Sequence, residues 1–462
     1  MHKNTIIALF MIVIISILIS FFIPLVKPET LIGLVLCLLI GLISFFKIEF
    51  GIYILIFSML LSPEIKIGDV PGRAIIVRAD DLIFIVILFV WFSRVAISKE
   101  IRFLKHTPLN PPLLIYSVIC VIFTLKGVLL EDVYYIKGFF FVLKYIQYFL
   151  IFFLVVNICK DEKDVKKYLI AGLITCIIVV IYGYIQIIAG VRVSAPFETA
   201  IGERVQSGEP GTIGVYFVIV FGILLGCFLY ISKVTTKIRV LLFFLSMLPP
   251  FLQTLSRASY ISFAVLFLTA FVLAKKHKLL LLTILFFSLI FLPIILPENV
   301  INRIQETFKG KTTVEETNVK LDASSIGRIE SWTMILKEKL PNHFLTGYGI
   351  TGVGFVDGQY FRILGELGVI GLGVFIWMLV TIFKIGWRLY NIADNEFTKS
   401  LAFGYIIGFV GLLANAITTN TFMIVRVMEP FWFMTALIMV LYEQKLTVKK
   451  AAEKIPLTME KT

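Results

Sequence analysis

RIESWTMILKEKLPNHFLTGYGITGVGFVDGQYFRILGELGVIG, residues 328–371, holds the change of character on which the fold turns. It begins as a mix of charged and apolar residues, becomes rich in glycine, and runs without interruption into Leu, Ile, Val and Phe. Upstream, Glu298 to Lys320 is polar and charged. The stretch therefore closes the one long polar insertion of an apolar chain and opens a new span. Ile329, Trp332, Ile335, Leu336 and Leu340 recur at helical spacing until Pro341, and Ser324-Ser325 stand before them as a cap. The expected element is a short amphipathic helix with Trp332 on its apolar face, lying on the outer membrane surface or roofing a cavity in a bundle.

Outside this stretch the composition is that of a membrane protein. Hydrophobic residues make up 59% of the 462 and charged residues only 16%, with a mean hydropathy of +0.97. A soluble chain carries close to a quarter charged residues. The net charge of +13 does not form one basic surface, because Lys and Arg sit in short clusters between apolar runs. Topology and contact with anionic membrane lipids explain that pattern, and nucleic acid is not an expected partner. Cys37, Cys120, Cys159, Cys176 and Cys227 lie in spans or at a cytoplasmic end and suggest neither a disulfide framework nor a metal knuckle.

Runs long enough to cross about 30 Å of hydrocarbon fall near 5–25, 31–46, 50–62, 82–97, 112–130, 138–158, 168–189, 213–231, 238–255, 258–275, 279–296, 363–387, 399–419 and 427–442. The fold class is all-α, a polytopic bundle of about 12–14 transmembrane helices with one long extracytoplasmic loop. With the N-terminus cytoplasmic, the basic clusters at 94–105, 160–167, 233–239, 275–278, 384–399 and from Lys445 onward all fall on one side. Both termini are expected in the cytoplasm, and the first span is expected to be retained. The chain divides into an N-terminal bundle (1–296), an extracytoplasmic loop (297–362), C-terminal spans (363–443) and a basic tail (444–462).

Few ionisable residues stand at membrane depth, where each is a functional hypothesis by default. Lys144 interrupts the sixth span and Glu429 begins the last. Ion-driven carriers show more such residues, and spans broken by Gly or Pro, which weighs against transport. On the external side lie Arg192, Arg204, Arg257, Arg303 and Arg328. Arg257 is the sharpest of these, because topology would place no cation at that outer junction. A guanidinium there can hold a phosphate or diphosphate through two parallel hydrogen bonds. It can equally anchor a headgroup, or pair with Glu203 or Glu366.

Gly347-Tyr348-Gly349-Ile350-Thr351-Gly352 spells G-x-G-x-x-G, yet it follows a helix and Pro341 and opens no βαβ unit, so it is rejected as a dinucleotide site. His343 is the one histidine on the external side, and metal coordination is not expected. Asp357 stands where the loop returns to the membrane. It is a candidate base for a sugar hydroxyl and, alternatively, a cap for the helix that follows. Arg362 and Glu366, four apart, read as a structural pair.

Together these pieces resemble the O-antigen ligase and polymerase superfamily of bacterial membrane glycosyltransferases. The resemblance covers the span architecture broadly and residues 254–372 specifically. It rests on Ser256-Arg257-Ala258 before a span, Gly327-Arg328 with Trp332, Gly347-Tyr348-Gly349, and Asp357-Gly358-Gln359-Tyr360-Phe361 leading to Gly365-Glu366-Leu367-Gly368. It implies a metal-independent inverting transferase, without cofactor, in the bacterial inner (plasma) membrane. The donor would be an undecaprenyl-diphosphate-linked glycan and the acceptor a glycan or lipid, with other polysaccharide-assembly proteins as partners.

By position Arg257 matches the family arginine before a span, and Arg204 the one in the earlier loop. The catalytic set so implied is Asp357, Arg257 and Arg328, with Arg204, Arg192, His343, Trp332, Tyr360 and Glu366 binding substrate. The ligases carry a histidine where this chain has Asp357, which favours a polymerase or a divergent member, with Asp357 or nearby His343 as the base. The alternatives are a non-catalytic transporter or flippase for such a glycan, and a membrane scaffold. Convergence of Arg257, Arg204 or Arg328, and Asp357 on one cavity is the geometric expectation of the catalytic reading.

Overall fold

A computed structural model describes residues 28–70, 73–97, 104–197, 210–284, 286, 298–305, 312–313 and 320–454. The helices are α1 (Pro28–Phe46), α2 (Ile48–Leu61), α3 (Ala79–Ile97), α4 (Asn110–Leu129), α5 (Tyr135–Ile158), α6 (Glu162–Ile188), α7 (Pro210–Tyr230), α8 (Val234–Leu252), α9 (Arg257–Leu273), α10 (Glu298–Gln305), α11 (Ala323–Met334), α12 (Gln359–Ile392), α13 (Glu396–Thr418) and α14 (Val425–Lys454). Two short antiparallel hairpins interrupt them, β1 (Glu64–Val70) with β2 (Arg73–Arg78), and β3 (Thr312–Thr313) with β4 (Lys320–Leu321).

Among the described residues eight helices are long and apolar enough to cross a membrane, and three shorter apolar helices accompany them. The chain is an all-α, multi-pass membrane protein. Expected spans 5–25 and 279–296 lie wholly or mostly outside the described residues, and each of the others corresponds to a helix.

Apolar side chains face both inward and outward, as lipid solvation allows. In α14 83% of the membrane-length window is buried, in α7 78% and in α13 72%, whereas in α8 it is 17%. The first three form the centre. Outer helices such as α4 and α6 turn Leu114, Val118, Ile122, Ile174, Ile178 and Ile181 outward. Trp432 of α14 packs edge-on to Phe149 and Phe152 of α5.

The closest approach in the centre is between α7 and α13, each carrying a Gly-x-x-x-Gly. A Cβ on Gly404 would stand 2.6 Å from the carbonyl oxygen of Gly222, and one on Gly226 would stand 2.3 Å from that of Ser400. Small residues at a spacing of four let two backbones meet where lipid offers no hydrophobic drive to associate.

α12 is two helices in series. Gly368 breaks it with φ 63° and ψ −167°, a conformation open to glycine and strained for other residues. A break inside a bundle strands backbone groups that have no water to bond. The preceding loop satisfies them. Tyr348 and Gly349 N–H donate to the carbonyls of Gly365 (3.1 Å) and Glu366 (2.7 Å), while Val369 and Ile370 N–H donate to those of Phe344 (3.0 Å) and Leu345 (3.3 Å). The glycine-rich segment rejected above as a nucleotide loop is thus a plug that closes the gap in α12. The sequence argument against transport had counted on unbroken spans, and this break removes part of its force.

Candidate functional site

The polar residues gather at one end of the bundle, where α5, α9, α12 and α14 begin and α4, α6, α8 and α13 end. They form two clusters. In the first, Arg192, just after α6, donates from Nε to Thr254 O (2.6 Å) and from Nη2 to Leu255 O (2.8 Å). Those bonds hold the turn between α8 and α9 and so place Arg257 at the first position of α9. Arg303 on α10 and Arg257 both add positive potential at Arg192. Arg192, Leu255, Asn299, Asn302 and Arg303 line a pocket of about 430 Å³. Arg204 lies outside the described residues.

Of the acids considered from sequence, Glu366 pairs with Arg362 and Glu203 lies outside the described residues. Arg257 meets Asp322, whose Oδ2 accepts from Nη2 at 2.7 Å. Asp322 immediately precedes α11, and its Oδ1 accepts from Ser325 Oγ (2.6 Å). The helix therefore starts directly after Asp322, and the serines expected to cap it lie within its first turn. The bond from Arg257 and that from Ser325 hold the Asp322 carboxyl down at about 2, against an ordinary 3.8. A depressed folded value means that the clamp contributes stability above the ordinary carboxylate range and loses it as pH falls through about 2. Pepsin cleavage within α11, relative to an unfolded control, is expected to rise as pH falls from about 4 to about 2, and Asp322→Asn should abolish that dependence.

The second cluster lies farther along α11. Arg328 Nε stands 3.6 Å from Asp357 Oδ2, an ion pair longer than a hydrogen bond, and is buried with no hydrogen-bond partner. Trp332, one turn on, donates from Nε1 to Asp357 O (2.6 Å) and stacks on Phe361 with centroids 4.7 Å apart. Asp357 is thus held from its backbone while its carboxylate points to Arg328, and it does not cap α12, whose preceding residue is Gly358. Burial lifts the Asp357 carboxyl above the usual range, and the cations Arg328 and Arg362 offset only part of that. A half-buried carboxylate beside a guanidinium, with its protonation moved toward neutral pH, suits a general base.

The segment is latched from below. Gln359 N–H donates to Thr419 O (3.2 Å) and its Oε1 accepts from Phe422 N–H (3.0 Å), Asn420 Nδ2 donates to Val356 O (2.7 Å), and Tyr360 OH donates to Leu413 O (3.0 Å). Tyr360 is therefore an anchor of α12 on α13. Arg362 and Glu366 form the expected pair (3.0 Å), and the same Glu366 Oε1 accepts from Thr351 N–H (2.8 Å), which places Glu366 in the bundle interior.

His343 belongs to neither cluster. Lys126, near the end of α4, lies 3.4 Å from its Nδ1 and donates to Thr346 Oγ1 (2.6 Å) and Gly347 O (3.3 Å), and the ring meets Tyr348 edge-on. These contacts fasten the plug, and they leave Asp357 as the carboxylate or imidazole beside Arg328.

Sequence reasoning named Arg192, Arg257, Arg328, Trp332 and Asp357, and the structure brings them together as two groups joined by α11 rather than around one cavity, so the convergence expected of the catalytic reading holds for Arg328 with Asp357 and not for Arg257. It gave Gln359 only as part of the Asp357–Phe361 motif, and it missed Asp322, Asn420 and Lys126. An Asp directly before Ala-Ser-Ser is a helix-start signal that would have found the first, while the others show no pattern in the sequence. Comparison with known protein families and with characterised proteins finds no match for this chain.

Proposed function

We propose that this chain is a membrane glycosyltransferase that moves a glycan from an undecaprenyl-diphosphate carrier to a glycan or lipid acceptor, as a surface-polysaccharide polymerase or ligase. The observation that carries this reading is α11, which is clamped before its first residue to Arg257, one of the arginines grouped around Arg192, and through Arg328 to the half-buried carboxylate of Asp357. The chemistry divides between them. The donor's anomeric C–O bond breaks, its electron pair leaves on the diphosphate, and Arg192, Arg257 and Arg303 supply positive charge where negative charge develops. The acceptor hydroxyl attacks from the opposite face and gives its proton to Asp357, so the new glycosidic bond has inverted configuration.

Arg328 keeps the carboxylate ionised and aimed, and Trp332 fixes its backbone. Arg204 is a further candidate for the diphosphate. The reaction belongs on the outer face of the inner membrane, with the loop of 297–362 extracytoplasmic and both termini cytoplasmic.

Surface glycan from a deletion strain tests the reading. A polymerase predicts loss of long chains, and a ligase predicts long chains that accumulate on the carrier without attachment. Unchanged glycan of both kinds would refute it. A second reading, carriage of a lipid-linked glycan without catalysis, draws on the break in α12 at Gly368, since interrupted helices recur in carriers. Loss of all glycan outside the cell, with single repeats retained on the carrier inside, would favour it.

A further inference from the structure

The plug against α12 meets the condition that a bilayer sets for irregular backbone. At membrane depth such backbone is tolerated only where the protein itself satisfies its polar groups. From Gly347 to Gly352 every backbone N–H donates to a protein acceptor. Gly347 bonds to His343 O (2.9 Å), Tyr348 to Gly365 O, Gly349 to Glu366 O, Ile350 to Thr124 Oγ1 (3.1 Å), Thr351 to Glu366 Oε1 and Gly352 to Gly349 O (2.9 Å). A loop in water has no need of so complete a set, because water serves the groups left over. Lys126 adds its bonds to Thr346 Oγ1 and Gly347 O.

The partners of these bonds fix the depth of the segment. Both α4 and α12 are long and apolar enough to cross a membrane. α12 carries no charge from Leu367 to Phe383, and α4 carries none from Asn110 to Leu125. Those runs are about 26 Å and about 24 Å of helix, short enough to lie wholly within a hydrocarbon layer of about 30 Å. The plug reaches inside the end of each. It accepts from Val369 and Ile370 of α12, it donates to Thr124 of α4, and a Cβ on Gly349 would stand 2.9 Å from Phe123 O.

The outward face of the segment is apolar. Phe344 is 54% exposed and Leu345 is 58% exposed, whereas Gly347 to Thr351 are buried. The carbonyls of Phe344 and Leu345 accept from Val369 and Ile370, whose side chains also turn outward, as do Ile376 and Val380 farther along α12. On α4, Ile122 and Leu125 turn outward at the same level as Thr124. Phe344 and Leu345 therefore continue a surface that already belongs to lipid.

We infer that residues 344–352 are a re-entrant segment, which enters the leaflet on the side of the long loop and lays Phe344 and Leu345 against lipid acyl chains. The inference rests on α4 and α12 as spans and is independent of the proposed transfer.

The full chain in lipid nanodiscs provides the test. A small fluorescent amino acid replaces Phe344, Leu345, Ile370 or Glu330 in separate variants, and its emission is quenched either by a nitroxide on the upper acyl chain of the lipid or by iodide in the buffer. Ile370 is the reference for lipid, and Glu330, exposed on α11, is the reference for water. Positions 344 and 345 should lose several-fold more emission to the lipid nitroxide than to iodide, as position 370 does. Loss mainly to iodide would place the segment in water, and loss to neither would place it under another part of the chain. Either result overturns the inference. The unmodified protein provides a second measurement where a labelled variant fails to fold. Hydroxyl radicals generated in water should modify Phe344 and Leu345 no more than Ile370, and modification several-fold above that level overturns the inference as well.

Discussion

Asp357→Asn is expected to lower transfer by about 10²–10⁴-fold, the range of a lost general base, with the protein still folded in the membrane. The substitution preserves shape, and the bond from Trp332 goes to the Asp357 backbone oxygen, which the amide leaves in place. Arg257→Ala is expected to lower transfer by about 10²–10³-fold, as for removal of one group that stabilises developing negative charge, and it also frees Asp322. Asp322→Asn separates the two effects, because it breaks the clamp while Arg257 remains.

The pH profile sharpens the first of these results. A base with a raised value loses activity as pH falls through that value, so the acid limb should lie above the ordinary carboxylate range. Arg328 opposes the rise, so Arg328→Gln should move the limb farther toward neutral. Chain length of the glycan product, assayed on membranes across pH, measures all four variants. Normal product from Asp357→Asn would sink the assignment of the base.

The second large effect falls on the fold itself. In Gly404→Ala the new Cβ meets backbone at 2.6 Å (Gly222 O) and 2.7 Å (Ile223 Cα), neither of which can turn aside. The helices α7 and α13 must separate, at a cost of about 1–3 kcal/mol, and Gly404→Leu should prevent assembly of a monodisperse protein. Gly373→Ala is the control, since a Cβ there meets nothing within 4 Å, and an exposed helical alanine is favourable by about 1 kcal/mol. Size-exclusion profiles and Tm in detergent compare the three. If Gly404→Ala matches Gly373→Ala, the close approach is not what holds the centre.

How far the sequence reaches can be judged from individual residues. The spans were legible because twenty apolar residues in a row have few alternatives, and Arg362 with Glu366 was legible because a spacing of four on one helix puts them on one face. The pairing of Arg257 with Asp322 was not, since 65 positions separate them and no local period carries that information. The break at Gly368 was hidden for a different reason. Its apolar neighbours continue on both sides, and the groups that satisfy it come from a loop whose glycines spelled another motif.

The hairpin of β1 and β2 lies between the expected spans 50–62 and 82–97, where no span was expected. The buried charges of Lys144 and Glu429 looked like isolated intrusions, because the elements that neutralise them lie far apart in the chain. Trp332 was expected on an apolar face and stacks on Phe361, yet its bond to the backbone of Asp357 depends on where the loop closes.

The position of α11 sets a length scale. Asp322 and Arg328 are separated by six residues of helix, about 9 Å along its axis, and each is fastened to a different part of the bundle. The helix is therefore a gauge between the guanidinium cluster and the carboxylate. An inserted residue between them would swing Arg328 by about 100° around the axis and take it out of register with Asp357, although every side chain would still be present. Selectivity at this end of the molecule would then reside in a distance, and a ligand too short to span the gauge could occupy either station but never both.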